Sequence, residues 1–182
     1  MENQSLFELF IDELADMYNS EKQIVKGLPK LIKLASQPEL KEALTKHWNE
    51  TENQVRRIEK IYHILNMKPR EITCEAMEGL MKECEELTEK RDRSPTLDAA
   101  IICAAQKVEH YEIASYGTLR SFAKHLDLDS EIIDQLQDTL DEEGAADKKL
   151  TKIADGSFFS SGINTEAAGA GSSHSAHKKA KR

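Results

Sequence analysis

Glu109 and Glu112 stand in the segment Val108-Glu109-His110-Tyr111-Glu112-Ile113-Ala114-Ser115-Tyr116, where a helix should be filling a core. The i, i+3 spacing puts both acids on one helical face with Ile102, Ala105, Tyr116 and Leu119, the apolar side, and turns His110 away from it. Three other apolar stripes are interrupted in the same way. Glu21 falls between Met17 and Ile24 in the run Phe10, Leu14, Met17, Glu21, Ile24, Leu28, Leu31. The run Leu40, Leu44, His47, Glu50 or Thr51, Gln54, Ile58, Ile61 is polar for three turns, and Ile133, Leu136, Leu140, Glu143, Asp147, Leu150 carries acids at its centre. A charged carboxylate in a low-dielectric core costs several kcal/mol, and clustering like charges adds to that cost. The stripes offer no Lys or Arg at that level, so the balancing charge is expected from bound cations. A carboxylate-rich site with one or two neutral ligands suits iron or manganese, and two ions can share bridging carboxylates. The candidate metal ligands are Glu21, Glu50, Glu109, Glu112, Glu143 and Asp147; the spacing leaves open whether His47, Gln54 or Glu142 joins them. Di-metal helix bundles take one Glu from each of two helices and Glu-x-x-His from the other two. Here Glu50 is followed by Asn53 and Gln54, and Glu143 by Ala146 and Asp147, which predicts a ligand set richer in oxygen.

Five helices are needed to carry these stripes. Ser5-x-x-Glu8 reads as a capping box opening the first, with Pro29 expected to kink it; Ser36-x-x-Glu39, with Pro38 in the first turn, opens the second, which ends near Leu65. A shorter amphipathic helix from about Thr73 to Lys90 has cysteines and methionines on its buried side and no inward acid, so it reads as a crossover and its sulfurs as packing. Ser94-Pro95 opens the fourth helix, which runs to about His125, and Asp155-Gly156 closes the fifth. Every periodic segment repeats at 3.6 and none alternates. The predicted fold is therefore all-α: a four-helix bundle with an extra helical crossover between the second and third long helices, and the acids meeting in one layer.

With 182 residues, 39% hydrophobic and 32% charged, the chain has enough apolar mass for one domain, placed at residues 1–156. Residues 157–182, rich in Ser, Gly and Ala and ending Lys178-Lys179-Ala180-Lys181-Arg182, read as a flexible low-complexity basic tail. That tail holds one acid against four bases, a charge of +3 out of the total of −8, which leaves −11 on residues 1–156. An acidic body attracts cations and repels nucleic acid. Three cysteines without a Cys-x-x-Cys pair argue against disulfides and a thiolate zinc site. With neither a signal peptide nor a membrane-length apolar run in view, a cytoplasmic location is expected.

The segments YNSEKQIVKGLPKL, HWNETENQVRRIEKI, CEAMEGL, AAQKVEHYEIASYGTLRSFA and TLDEEGAADKKLTKIA resemble the YciF-type bacterial stress proteins, a ferritin-like family. The resemblance covers residues 6–155 and is most specific around Glu109. It implies a rubrerythrin-like bundle that forms a homodimer and binds two iron or manganese ions through Glu21, Glu50, Glu109, Glu112 and Glu143. The inward acids then support a di-metal oxidoreductase-type protein acting in stress protection, by oxidising ferrous iron or reducing peroxide, or a metal-binding or storage-related bundle without turnover. The alternative is a structural dimer whose polar layer only fixes packing.

Overall fold

The computed structural model describes residues 5–157 and 160–170. Each 3.6-period segment is a helix in it: α1 (Leu6–Leu34), α2 (Pro38–Ile64), α3 (Glu75–Glu89), α4 (Pro95–His125) and α5 (Ser130–Asp155). Helices α1, α2, α4 and α5 form the bundle, and α3 is the crossover, lying against α4 and α1. The protein is an all-α bundle, as the periodicity predicts.

Local signals explain most of the helix ends. Ser5 closes the capping box on α1, its Oγ accepting from Glu8 N at 3.2 Å while Glu8 accepts from Ser5 N at 2.7 Å. Ser94 Oγ accepts from Leu97 N at 3.2 Å ahead of Pro95. The box expected at Ser36 does not form. Instead Ser36 N, Ser36 Oγ and Gln37 N donate to the carboxylate of Asp98 at 2.8, 2.5 and 3.0 Å. Asp98 sits in the first turn of α4 and is fully buried, so one acid satisfies three donors and joins the starts of two helices.

Pro29 lies inside α1 without ending it. A proline at this position withholds the N–H that would bond the carbonyl of Val25, four residues earlier. Trp48 of α2 makes up the loss: its Nε1 donates to Val25 O at 3.1 Å. The crossover is anchored by polar contacts as well as by packing. Asp16 Oδ2 accepts from Tyr111 OH at 2.6 Å and from Cys74 Sγ at 2.9 Å, which ties α1, the start of α3 and α4 together.

The core is divided into two. One cluster gathers Ile24, Leu28, Leu44, Ile101, Val108 and Leu150; the other gathers Phe10, Leu14, Met17, Ile58, Tyr116 and Leu136. Each long helix passes from one cluster to the other, and the residues at the crossing are polar and buried: Glu21 on α1, His47, Thr51 and Gln54 on α2, Glu109 and Glu112 on α4, Thr139 and Glu143 on α5. The four helices therefore sandwich a polar layer between two apolar ones.

Order extends past the boundary expected at Gly156. Gly156, at φ 82°, ends α5 in a conformation that favours glycine, and Gly156–Ser157 pairs antiparallel with Ser160–Ser161. This two-residue pair is the sheet content of the described residues, where none was predicted. A helix over residues 163–170 follows, and Ile163 inserts into the core beside Leu150 and Ile153 at 2% exposure. Gly162 makes the return possible, since a Cβ there would lie 2.2 Å from the carbonyl carbon of Asp155. Gln37 Nε2 donates to Glu166 at 3.3 Å, a further tie to the body. A flexible tail from residue 157 is thus corrected for residues 160–170; the basic end, Lys178 to Arg182, lies outside the described residues.

Candidate metal centre

Four elements each bring polar atoms to the layer. His47, Glu109, Glu112 and Glu143 can each place one ligand atom within 4.8 Å of all the others, and all four are buried. Glu21 completes the group from α1. It is fully buried, accepts a hydrogen bond from Tyr116 OH and approaches Glu112 within hydrogen-bonding reach. Glu109 and Glu143 approach each other in the same way.

These groups are short of partners. Glu21 Oε2, Glu109 Oε2, Glu143 Oε2, both oxygens of Glu112 and both ring nitrogens of His47 are buried and make no hydrogen bond with the described residues. His47 Nε2 lies 3.3 Å from Glu109 Oε1, an ion-pair distance without hydrogen-bond alignment. Burial, followed by the mutual repulsion of the acids, holds the carboxyls of Glu21, Glu109 and Glu112 well above the ordinary range. Burial raises Glu143 too, and it lowers His47 despite the attraction of Glu143. Burial in this layer thus disfavours the charged form of its acids and of its imidazole alike.

The chemistry of these donors fits a cation. Unpaired carboxyl oxygens with one imidazole, converging from four helices in a water-poor layer, are a site for a metal that accepts oxygen and nitrogen ligands. Neighbouring side chains orient them. Gln54 Nε2 donates to Glu143 Oε1 and, at 3.0 Å, to Glu142 Oε2. Arg57 grips Glu142 with two bonds of 2.5 and 2.7 Å, so the adjacent pair divides its work: Glu142 takes the cation of α2, and Glu143 faces the layer. The stripes alone gave no sign of Arg57, because it reaches the layer from the flank.

Two expected ligands are not brought in. Glu50 is partly exposed and paired with Lys46, one turn away on α2. The buried edge of α2 steps through Leu44, His47, Thr51, Gln54 and Ile58, so position 50 falls one residue off it. Asp147 accepts from Gln106 Nε2 at 2.9 Å and lies 3.3 Å from exposed His110. The reason is the rotation of α5, which buries Ile132 and Thr139 where Ile133 and Leu140 were expected to lead. Glu21, Glu109, Glu112 and Glu143 are where the sequence put them, and His47, left open there, stands among them.

Two cavities reach this layer. One of about 450 Å³ lies between α2 and α5, lined by Glu39, Glu42 and Glu50, by Lys46 and Lys149, and by buried His47 and Glu109. The other, of about 530 Å³, lies between α1, α3 and α4 and touches the same two residues.

A family model described as a domain of unknown function (DUF892) matches residues 5–168, and so includes most of the helix at 163–170. Protein YciF of Escherichia coli (strain K12) is 42% identical over 155 residues, covering 85% of this chain and 93% of that protein. The crystal structure of the E. coli stress protein YciF superposes with a TM-score of 0.79, covering 82% of this chain and 94% of that one. YcfI from Rhodopseudomonas palustris superposes with a TM-score of 0.80 at 42% identity, covering 84% and 97%.

Proposed function

The chain belongs to the DUF892 family, and from that premise we propose that it is a di-metal carboxylate protein, loaded with iron or manganese, that serves in stress protection by oxidising ferrous iron or reducing peroxide. One observation carries the reading: four buried glutamates and a buried histidine converge with seven polar atoms that have no partner among the described residues. The stress role is supported by the likeness to YciF, a stress protein of E. coli. Bound iron or manganese would supply electron transfer to oxygen or peroxide and would hold the carboxylates ionised.

The chain's own residues set the conditions. Glu21, Glu109, Glu112, Glu143 and His47 would hold the ions, the acids binding in their ionised form. Tyr116 OH fixes one oxygen of Glu21 and Gln54 fixes one of Glu143, so each keeps its other oxygen free for a ligand role. The cavity between α2 and α5 would be a way inward to His47 and Glu109; of its outer acids, Glu50 and Glu39 are paired with Lys46 and Lys149, and Glu42 stands beside them. The two apolar clusters above and below keep bulk water from the layer.

A second reading has its own support. Burial favours the protonated form of these acids, and one proton in each of the pairs Glu21–Glu112 and Glu109–Glu143 would let them share a hydrogen bond without any ion. YcfI is a protein for which a structural role has been put forward. The two readings separate by elemental analysis of protein purified without chelators, followed by ferrous oxidation and peroxide assays. Iron or manganese near two per chain, with turnover, supports the first; metal-free protein of unchanged stability leaves the second. We also propose a homodimer, on the family resemblance. Light scattering giving a mass of one subunit, or of twelve, would rule it out.

A further inference from the structure

Donor atoms are unevenly spread across the width of the polar layer. His47, Glu109, Glu112 and Glu143, from α2, α4 and α5, are the residues whose ligand atoms converge within 4.8 Å, and Glu21 of α1 is not among them. In that group both ring nitrogens of His47, Glu109 Oε2 and Glu143 Oε2 are buried and make no hydrogen bond with the described residues. On the α1 side Glu21 has one such oxygen, Oε2, because Tyr116 OH holds the other. Helix α2 adds no acid here. Thr51 Oγ1 donates to His47 O at 2.9 Å, Gln54 turns its N–H toward Glu142 and Glu143, and Glu50 is paired with Lys46 outside the layer. Both oxygens of Glu112 are buried without a partner among the described residues, and its carboxyl lies within reach of Glu21.

Resting on the di-metal reading, we infer that the layer holds two unequal cation positions: a tight one at His47, Glu109 and Glu143, and a weak one at Glu21, with Glu112 giving an oxygen to each. The tight position draws an imidazole and three carboxyl groups from three helices. The weak one has two carboxyl groups, one of them shared, and would complete its shell with water. Donor number and charge set the affinity of such positions, and an ion already bound repels the next. The first ion is therefore resident and the second exchanges.

Chelated full-length protein is titrated with manganese(II) and followed by electron paramagnetic resonance. The wild type should take two ions at saturation, the first tenfold or more tighter than the second. At one equivalent the bound ion should show the modulation of a coordinated imidazole nitrogen, and the second ion should add none. Glu21→Gln should keep the first ion with its nitrogen signal and weaken the second tenfold or more, while His47→Gln should remove that signal and weaken the first. Two ions of equal affinity, a first ion without the nitrogen signal, a signal that survives His47→Gln, or loss of the first ion in Glu21→Gln each overturns the inference and leaves the di-metal reading standing. A wild type that binds no manganese(II) overturns both.

Discussion

Glu21 is the residue on which the metal and packing readings divide most sharply. It is fully buried, no Lys or Arg pairs with it, and its carboxyl is pushed up by burial and by Glu143. Replacing it with Gln keeps an acceptor for Tyr116 OH and removes one source of repulsion. Glu21→Gln should therefore lower iron or manganese content and leave the chelated protein as stable as wild type, or more so. A structural ion-pair member would behave in the opposite way, since removing its charge strands a buried cation at a cost of about 3–5 kcal/mol. Metal analysis and thermal melting of the same variant settle it: unchanged metal with a collapsed melting temperature sinks the metal-site reading. Glu142 shows why a neighbouring acid does not substitute, because Arg57 already holds both of its oxygens.

Elements of the fold depend on contacts that no single helix contains. Trp48 on α2 gives Val25 on α1 the bond that Pro29 withholds. Trp48→Phe keeps most of the packing and leaves that carbonyl unpaired, so denaturant unfolding should show a loss of about 1–3 kcal/mol. Proline at 29 makes the difference, and Pro29→Ala in the same background should recover part of it. The segment at 163–170 is held by Ile163, which is buried in the same core cluster as Leu150 and Ile153. Ile163→Ala should cost about 2–4 kcal/mol. A melting temperature within a degree of wild type would mean that this segment does not pack on the body in solution.

At the scale of the whole molecule, the polar layer couples stability to pH. Glu21, Glu109, Glu112 and Glu143 have carboxyls raised above 4.5 in the folded chain. The folded state then keeps protons that the unfolded state releases, so their contribution is fully present below 4.5 and is lost as pH rises above it. His47, lowered from 6.5, acts in the other direction, weakening the fold as pH falls below that value. Four acids outweigh one imidazole. Chelated protein should melt higher near pH ~5 than near pH ~8, and manganese(II) added at the higher pH should restore what was lost, since it favours the ionised acids. A melting temperature that climbs steadily with pH in the chelated protein would contradict the protonated layer. Among the described residues no helix is long and apolar enough to cross a membrane.

Helix type, order and approximate ends were fixed by local chemistry, because a 3.6-residue stripe, a capping Ser and a well-placed Pro act within a few residues of themselves. The same stripes located Glu21, Glu109, Glu112 and Glu143, since an acid within an apolar run is visible without knowing its neighbours. On α2 the alternation of threes and fours, from Leu40 through Leu44 to His47, already favoured Thr51 over Glu50 as the next inward step. On α5 it did not discriminate, because two rotations share Leu136, Glu143 and Leu150, and only packing against α2 and α4 chose the one that leaves Asp147 outside. Tertiary structure alone decided that Asp98 rather than Ser36 closes α2, that Arg57 takes Glu142, and that the chain past Gly156 turns back to bury Ile163. Each of those depends on a partner tens of residues away or on a single close approach at Gly162. Periodicity within one segment carries no record of such contacts.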